Sequence, residues 1–222
     1  MEAIKDSYFT IESVAHGEYK EKGSKFIAYA YSFDDSHQLS DIIKALKSEH
    51  PKARHHCFAY QIGLDGEEYR AFDDGEPSGT AGKPILGQLK SKGVTNVLIV
   101  VVRYFGGTKL GASGLIQAYK LAAQEALENA LFVEKFVSTQ YLLEAGYDKM
   151  GFLLNVLKKL DLDIVEKNFD TAVQVIVNLR KSTQFEILLQ LKATLLEVSI
   201  DQVDEATQVS WCKITQKEDV HI

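Results

Sequence analysis

The chain has 222 residues, of which 45% are apolar and 25% are charged, the usual balance of a soluble globular protein with one large domain or two small ones. This composition excludes a disordered tail, a collagen and a coiled coil. Because 31 acidic residues outnumber 25 basic ones and the net charge is −6, general polyanion binding is excluded, and any nucleic-acid contact needs a local basic patch.

Glycine and proline divide the sequence into two parts. All three prolines and 13 of the 15 glycines precede residue 120, so loops that need positive φ or close backbone approach are concentrated in the first part. A long helical pattern ends near Glu134. We therefore predict an N-terminal domain at 1–134 and a C-terminal domain at 135–222.

The N-terminal domain is predicted to be α+β. Its first strand is the aromatic and β-branched segment 25–31, and a helix capped by Ser36 follows and ends before Pro51. Alternating apolar residues predict a strand at 56–62, and the turn Asp65-Gly66 leads into a strand at 68–72. Residues 97–102 are apolar on both faces and predict a central buried strand, followed by a helix over about 112–132.

The C-terminal domain is predicted to have the order βαββαβ. Strands are expected at 136–145, 163–168, 171–179 and 207–215, with helices through Phe152–Leu160 and Phe185–Leu191. This order is the ferredoxin-like arrangement, in which two helices cover one face of a four-stranded antiparallel sheet.

Charge is segregated along the N-terminal domain. Residues 65–76 contain six acids and one arginine, whereas the 48 residues from 77 to 124 contain no acid and six cations. In an otherwise acidic protein, a long segment that contains cations and no acids produces a local positive field.

A glycine-rich loop at 103–114 lies in that segment, between the buried strand and the long helix. Backbone N–H groups beside glycines and at a helix start can bind an anion. Alternatively, the glycines serve only a tight turn and close packing, and their spacing does not fit the nucleotide-binding fingerprints. The candidate anion or nucleic-acid site consists of Arg103, Tyr104, Gly106, Gly107, Lys109, Gly111, Gly114 and Lys120.

A second loop, residues 73–84, combines carboxylates, hydroxyls and glycines. It could hold a hard metal ion or supply acid and base groups, but we favour a structural interpretation in which Ser78 or Thr80 caps a short helix starting near Pro84. We therefore expect no metal and no cofactor. The candidate residues of this loop are Asp73, Asp74, Glu76, Ser78, Thr80 and Lys83.

The segment Arg54-His55-His56-Cys57 raises the question of a metal ligand or nucleophile. Successive strand residues point to opposite faces, so His55 and His56 cannot share one ion, whereas His55 and Cys57 lie on the same face. Core packing is the favoured interpretation for Cys57. Beside the basic loop, Tyr104 and Phe105 are candidate stacking surfaces for unpaired bases.

Three blocks together resemble the YigZ/IMPACT family: residues 53–60, 73–82 and 103–111, with the sequences ARHHCFAY, DDGEPSGTAG and RYFGGTKLG. The resemblance implies an N-terminal fold like the second domain of small-subunit ribosomal protein five, and a C-terminal ferredoxin-like domain similar to domains of elongation factor G. It also implies a link to translation, because eukaryotic relatives oppose activation of an initiation-factor kinase through a partner protein. Ser113 and Gln117 depart from the family's glycine and arginine, and Lys120 lies one turn beyond Gln117.

Three functions follow as hypotheses. The first is a non-enzymatic, translation-associated regulator that binds RNA, the ribosome or another anionic partner through the glycine-rich loop. The second is an enzyme for a phosphorylated or acidic small molecule, with Asp73, Asp74 or Glu76 as base or magnesium ligand. The third is a protein-interaction module that uses the acidic segment 65–76.

The remaining features concern location. The longest apolar run, residues 97–102, is far shorter than the roughly 20 residues of a membrane span, and the first residues lack a signal-peptide pattern. Cys57 and Cys212 are too few for a disulfide framework. We expect a cytoplasmic protein without membrane contact, whose partner is RNA, the ribosome or a translation-related protein.

Overall fold

The structure is a computed structural model that describes residues 5–221. The chain divides into two compact units, one formed by residues 8–134 and the other by residues 135–221 together with residues 5–7. Each unit has its own apolar core.

The N-terminal unit is built on an antiparallel sheet in the order β2-β3-β6-β4-β5. Its strands and the preceding strand β1 are β1 (Ser7–Ile11), β2 (Ala15–Glu21), β3 (Ser24–Ser32), β4 (His55–Ile62), β5 (Glu68–Phe72) and β6 (Val97–Tyr104). The helices are α1 (Leu39–Glu49), α2 (Gly82–Lys92) and α3 (Gly111–Glu128).

Strand β6 is the central strand, as its uniformly apolar sequence predicts. Val97, Ile99 and Val101 face the core cluster that includes residues of α2 and α3. The alternate residues Leu98, Val100 and Val102 face a second cluster that includes Leu46 of α1. Both faces are therefore covered, which explains why β6 carries no polar residue before Arg103.

Four features of this unit differ from the sequence prediction. Strand β1 was not predicted. Ser36 does not cap α1, because it lies in a 3-10 turn whose N-cap is Asp35, and α1 begins at Leu39. The predicted helix over 112–132 ends at Glu128, and the next strand already begins at Phe132; the apolar pattern continues through Leu131, but that side chain is 60% exposed and does not extend the buried helix face. Strand β2 was not predicted, because its sequence AHGEYKE has few β-branched residues.

The C-terminal unit has the predicted order βαββαβ and is ferredoxin-like. Its elements are β7 (Phe132–Ala145), α4 (Met150–Lys159), β8 (Asp163–Asn168), β9 (Val173–Arg180), α5 (Gln184–Leu196) and β10 (Cys212–His221). Strands β7, β9 and β8 follow one another in the sheet, while β10 also pairs with β7. The core packs residues of α4 and α5 against β7 and β9.

The last strand lies later than predicted, at 212–221 instead of 207–215. Residues 204–207 form a turn in which the Asp204 carboxylate accepts hydrogen bonds from the backbone N–H and hydroxyl of Thr207. This local bonding competes with a strand ladder. Within residues 5–221, no helix is long and apolar enough to cross a membrane.

Packing of β2 on α3 requires a glycine at position 17. A Cβ there would come within 2.7 Å of the Ala122 carbonyl oxygen. We predict that Gly17→Ala destabilises the N-terminal unit by about 1–3 kcal/mol, because the methyl group meets backbone that cannot move away. The measurement is the urea dependence of hydrogen exchange at β6 amides, which reports opening of this unit.

The matched control is Gly87→Ala in α2, where a Cβ would meet nothing within 4 Å. This substitution should stabilise the unit by about 0.5–1 kcal/mol, because alanine is the better helix residue. Equal effects of the two substitutions would contradict the close-packing argument.

Candidate functional site

The three motif blocks meet around one buried carboxylate, that of Glu76. Its Oε1 accepts hydrogen bonds from Nη1 of Arg103 at 2.6 Å and from the hydroxyl of Tyr119 at 2.8 Å. Nε2 of His55 lies 3.9 Å from the same oxygen. Glu76 is 9% exposed and Arg103 is 6% exposed. The ion pair joins the loop that carries Glu76 to the end of β6, and the Tyr119 hydrogen bond joins the same loop to helix α3.

Arg103 was predicted to add a cation to the glycine-rich loop, but the structure places its charge inside the unit. The guanidinium contacts the rings of Phe26 and Phe105, with its carbon 5.3 and 5.7 Å from the ring centroids. Its Nε is buried without a hydrogen-bond partner among residues 5–221. Arg103 therefore neutralises Glu76 and supports the Phe105 ring, which stays 54% exposed.

Asp73 caps helix α2, in place of the predicted Ser78 or Thr80. One carboxylate oxygen accepts from the backbone N–H of Ala81 (3.0 Å) and Gly82 (2.8 Å), and the other from that of Gly79 (2.8 Å). Ser78 is exposed, and the Thr80 hydroxyl donates to the Pro77 carbonyl at 2.7 Å. The sequence interpretation was right that this loop caps a helix but wrong about the residue, because a carboxylate at the end of β5 reaches across the loop.

The electrostatics of Asp73 follow from that arrangement. Burial by itself would raise the pKa of the carboxyl. The N–H donors of Gly79, Gly82 and Ala81, with the nearby Lys83 ammonium, outweigh burial and hold the pKa below its usual 3.8. Asp73 thus remains a charged cap throughout the neutral range.

The other polar residues of the two blocks are also engaged within the protein. Asp74 accepts from the backbone N–H of His56 at 2.7 Å, and its carbonyl lies 2.9 Å from Nδ1 of His55. Burial lowers the pKa of His56, so this ring is neutral at pH 7. Arg54 and Lys83 are exposed.

Cys57 shares a strand face with His55, as predicted, and lies in the core. Its Sγ is 2.9 Å from the Asp73 carbonyl and 3.3 Å from the Tyr119 hydroxyl. Burial raises the pKa of the thiol, so the reactive thiolate is absent at neutral pH. Among residues 5–221, no group of three or more His, Cys, Asp or Glu side chains is placed to hold a metal ion.

The glycine-rich loop packs on the β2–β3 turn. A Cβ on Gly106 would overlap the backbone of Gly23 and Ser24, and the Gly106 N–H donates to the Ser24 hydroxyl at 3.1 Å. This glycine serves close packing, the alternative considered above, and its amide already has a partner. Tyr104 is also anchored, with its hydroxyl 2.8 Å from Nδ1 of His50.

The rest of the loop is exposed. Gly107 and Gly111 have φ values of +88° and +73°, and Lys109 and Lys120 are exposed, whereas Gly114 is partly buried. Helix α3 begins at Gly111, and no side chain of residues 5–221 is hydrogen-bonded to the N–H groups of its first turn. We call the surface formed by Lys22, Phe105, Gly107, Lys109 and the first turn of α3 the loop surface.

Sequence reasoning missed Lys22, Ser24 and Tyr119. Lys22 is exposed at the β2–β3 turn, whose Gly23 touches Gly106. Because more than eighty residues separate Lys22 from Gly106 along the chain, the sequence did not indicate that they are close in space. Tyr119 lies within an apolar helix face, where nothing in the sequence distinguishes a core tyrosine from one that binds a buried carboxylate.

We predict that Glu76→Ala destabilises the N-terminal unit by about 3–5 kcal/mol, because it leaves the buried Arg103 guanidinium without a counter-charge. The double substitution Glu76→Leu/Arg103→Met should cost clearly less, because no charge is then buried alone. Urea-dependent hydrogen exchange at β6 measures both. A single-variant cost below about 1 kcal/mol would show that the pair does not hold the unit together.

Asp73→Asn is predicted to cost about 1–2 kcal/mol at pH 7, because the amide replaces one acceptor oxygen with a group that faces an N–H donor. The folded pKa lies below 3.8, so the contribution of the charged cap is complete above that pH and is lost as the pH falls through the folded value. The difference between wild type and variant should therefore narrow below pH 3.8 in urea titrations. A gap that does not change with pH would refute this assignment.

Comparison with known proteins adds independent information. The family model described as the Impact N-terminal domain matches residues 22–127. IMPACT family member YvyE of Bacillus subtilis (strain 168) is 36% identical over 168 residues, which cover 76% of this chain and 77% of YvyE. IMPACT family member YigZ of Escherichia coli (strain K12) is 36% identical over 154 residues, covering 68% of this chain and 76% of YigZ.

Solved structures agree with these matches. The crystal structure described as that of a hypothetical protein is 32% identical, covers 88% of this chain and 96% of its own, and superposes with a TM-score of 0.66. A structure described as that of the two-domain translational regulator Yih1 covers 55% of this chain at 26% identity, but its TM-score of 0.36 is too low for a comparison of folds. The resemblance predicted from the three motif blocks is confirmed, and the chain belongs to the IMPACT family.

Proposed function

We propose that this protein is a non-enzymatic, translation-associated regulator that binds single-stranded RNA, as presented by the ribosome, through the loop surface. Membership of the IMPACT family supports the link to translation, because the resemblance to that family implies such a role. The site within the protein is argued below from its own chemistry.

The observation that carries the proposal is the exposed ring of Phe105. It is 54% exposed although one side of it contacts the Arg103 guanidinium. An exposed phenylalanine ring that also contacts a buried guanidinium is a surface on which an unpaired base can stack. The exposed Lys109 follows four residues later on the same loop, and the exposed Lys22 comes from the turn that touches Gly106.

Charge supports the same surface. The protein has a net charge of −6, yet residues 77–124 contain no acid. The first turn of α3 adds N–H groups without a side-chain cap, and Lys120 is exposed further along this helix. Lysines, helix N–H groups and an aromatic ring are the components of a sequence-tolerant site for single-stranded nucleic acid.

The enzyme hypothesis receives less support. It assigned a base or magnesium-binding role to Asp73, Asp74 or Glu76. Asp73 caps α2 through three N–H groups, Asp74 accepts from the His56 N–H, and Glu76 is paired with Arg103 and Tyr119. Each carboxylate is thus already bound within the protein, and we propose no reaction.

The test is binding of a fluorescent single-stranded RNA to the full chain at several salt concentrations. Lys22→Ala/Lys109→Ala should weaken binding and reduce the slope of log K against log salt by roughly 0.7 for each lost phosphate contact. Phe105→Ala should weaken binding by about 1–3 kcal/mol without changing the slope, because stacking is not ionic.

The matched controls lie in the C-terminal unit. Lys158→Ala/Lys159→Ala removes the same charge from an exposed helix end, and Phe185→Ala removes a ring that is also 54% exposed. Both controls should bind like the wild type. Absence of RNA binding, or equal losses in the loop-surface variants and the controls, would refute the proposal.

A further inference from the structure

A groove of about 690 Å³ lies between helix α1 and strands β4 and β5, within the N-terminal unit. One wall is a lateral face of α1 formed by Ser40, Lys44 and Lys47. These residues share a face because they are three or four positions apart. Leu46 is 2% exposed and, with Leu39 and Ile43 packed beside it, holds α1 on the core, whereas Ser40, Lys44 and Lys47 are exposed.

The opposite wall comes from the sheet. Arg70 lies across from Tyr60 in the β4–β5 ladder, and Phe72 lies across from Phe58. The Arg70 guanidinium carbon is 5.5 Å from the centroid of Phe58 and 5.7 Å from that of Phe72. Because β5 is the last strand in the sheet order, no further strand covers this side of the groove.

Charge distinguishes the groove from the rest of this acidic protein. Lys44, Lys47 and Arg70 line it, and no aspartate or glutamate does. Among residues 5–221, none of these three cations forms an ion pair with a carboxylate.

Three acids next to the groove have partners within the protein, and a fourth, Asp41 of α1, is exposed. Asp35 is bonded to His37, Glu68 accepts from Tyr60, and Asp74 accepts from the backbone N–H of His56. The three groove cations therefore remain available to an external anion.

The floor of the groove is aliphatic. Leu39 and Ile43 line it and are only partly buried, so an apolar side chain placed there would gain further burial. Phe58, the phenyl ring in the lining, is 5% exposed and lies beneath Arg70. That ring offers no open face for base stacking, in contrast to Phe105.

We propose that this groove binds an acidic segment of a partner protein. Carboxylates of the segment contact Lys44, Lys47 and Arg70, and an aliphatic side chain between them packs on Leu39 and Ile43. Unpaired cations facing each other across an apolar floor fit an alternation of acidic and aliphatic residues. The surface is separate from the loop surface and does not depend on RNA binding.

The test is fluorescence anisotropy of a short labelled peptide in which glutamates flank central leucines, titrated with the full chain. Lys44→Ala/Lys47→Ala should weaken binding by roughly tenfold, as expected for two partly exposed ion pairs. Replacing the peptide leucines by alanine should also weaken binding, and replacing its glutamates by lysine should abolish it. Lys158→Ala/Lys159→Ala and Lys22→Ala/Lys109→Ala should bind the peptide like the wild type.

Three results would overturn the proposal: no binding of the glutamate–leucine peptide, equal binding by the Lys44→Ala/Lys47→Ala variant, or equal binding of the alanine-substituted peptide. A single-stranded RNA competitor separates the two surfaces. If RNA rather than peptide binding is lost in Lys44→Ala/Lys47→Ala, the groove is a nucleic-acid site and the peptide proposal is wrong. The three double variants change exposed lysines, so their folding is expected to match the wild type.

Discussion

The ion pair between Glu76 and Arg103 is the interaction on which the geometry of the N-terminal unit depends. Two charges are taken out of water, and the cost of that desolvation is tolerable only because each is held by the other and Tyr119 adds a further hydrogen bond. The pair fixes where the loop at 73–81 meets the end of β6. It also positions the Arg103 guanidinium, which contacts the half-exposed ring of Phe105.

Two helix starts in this unit show how similar sequences acquire different roles. Both α2 and α3 follow glycine-rich loops. At α2, the Asp73 carboxylate accepts hydrogen bonds from the N–H groups of Ala81 and Gly82 and so caps the helix. At α3, no side chain in the described part of the chain binds the first N–H groups, and the loop before it is exposed. The first loop is therefore structural, whereas the second presents donors and a ring to the outside.

Both proposed binding surfaces place unpaired cations on a protein whose net charge is negative. An acidic chain repels anionic partners at long range, so recognition requires places where cations lack internal carboxylate partners. On the loop surface the cations accompany an exposed aromatic ring, which favours bases. In the groove beside α1 they accompany an aliphatic floor, which favours a peptide. The apolar component, rather than the charge, is what separates the two classes of partner.

Elements that have a clear pattern within a short stretch of residues could be predicted from the sequence. The unbroken apolar run of β6 identified the central strand, the βαββαβ order identified the ferredoxin-like unit, and three short blocks identified the family. Tertiary structure alone decided which charges are available. The sequence predicts Arg103 to be a free cation, but in the folded protein it is paired with Glu76. Lys22 gains a role only because its turn packs on Gly106. Two charges form an ion pair only when they lie within a few ångströms of each other. For segments that are far apart in the chain, this distance is set by folding and cannot be read from their positions in the sequence.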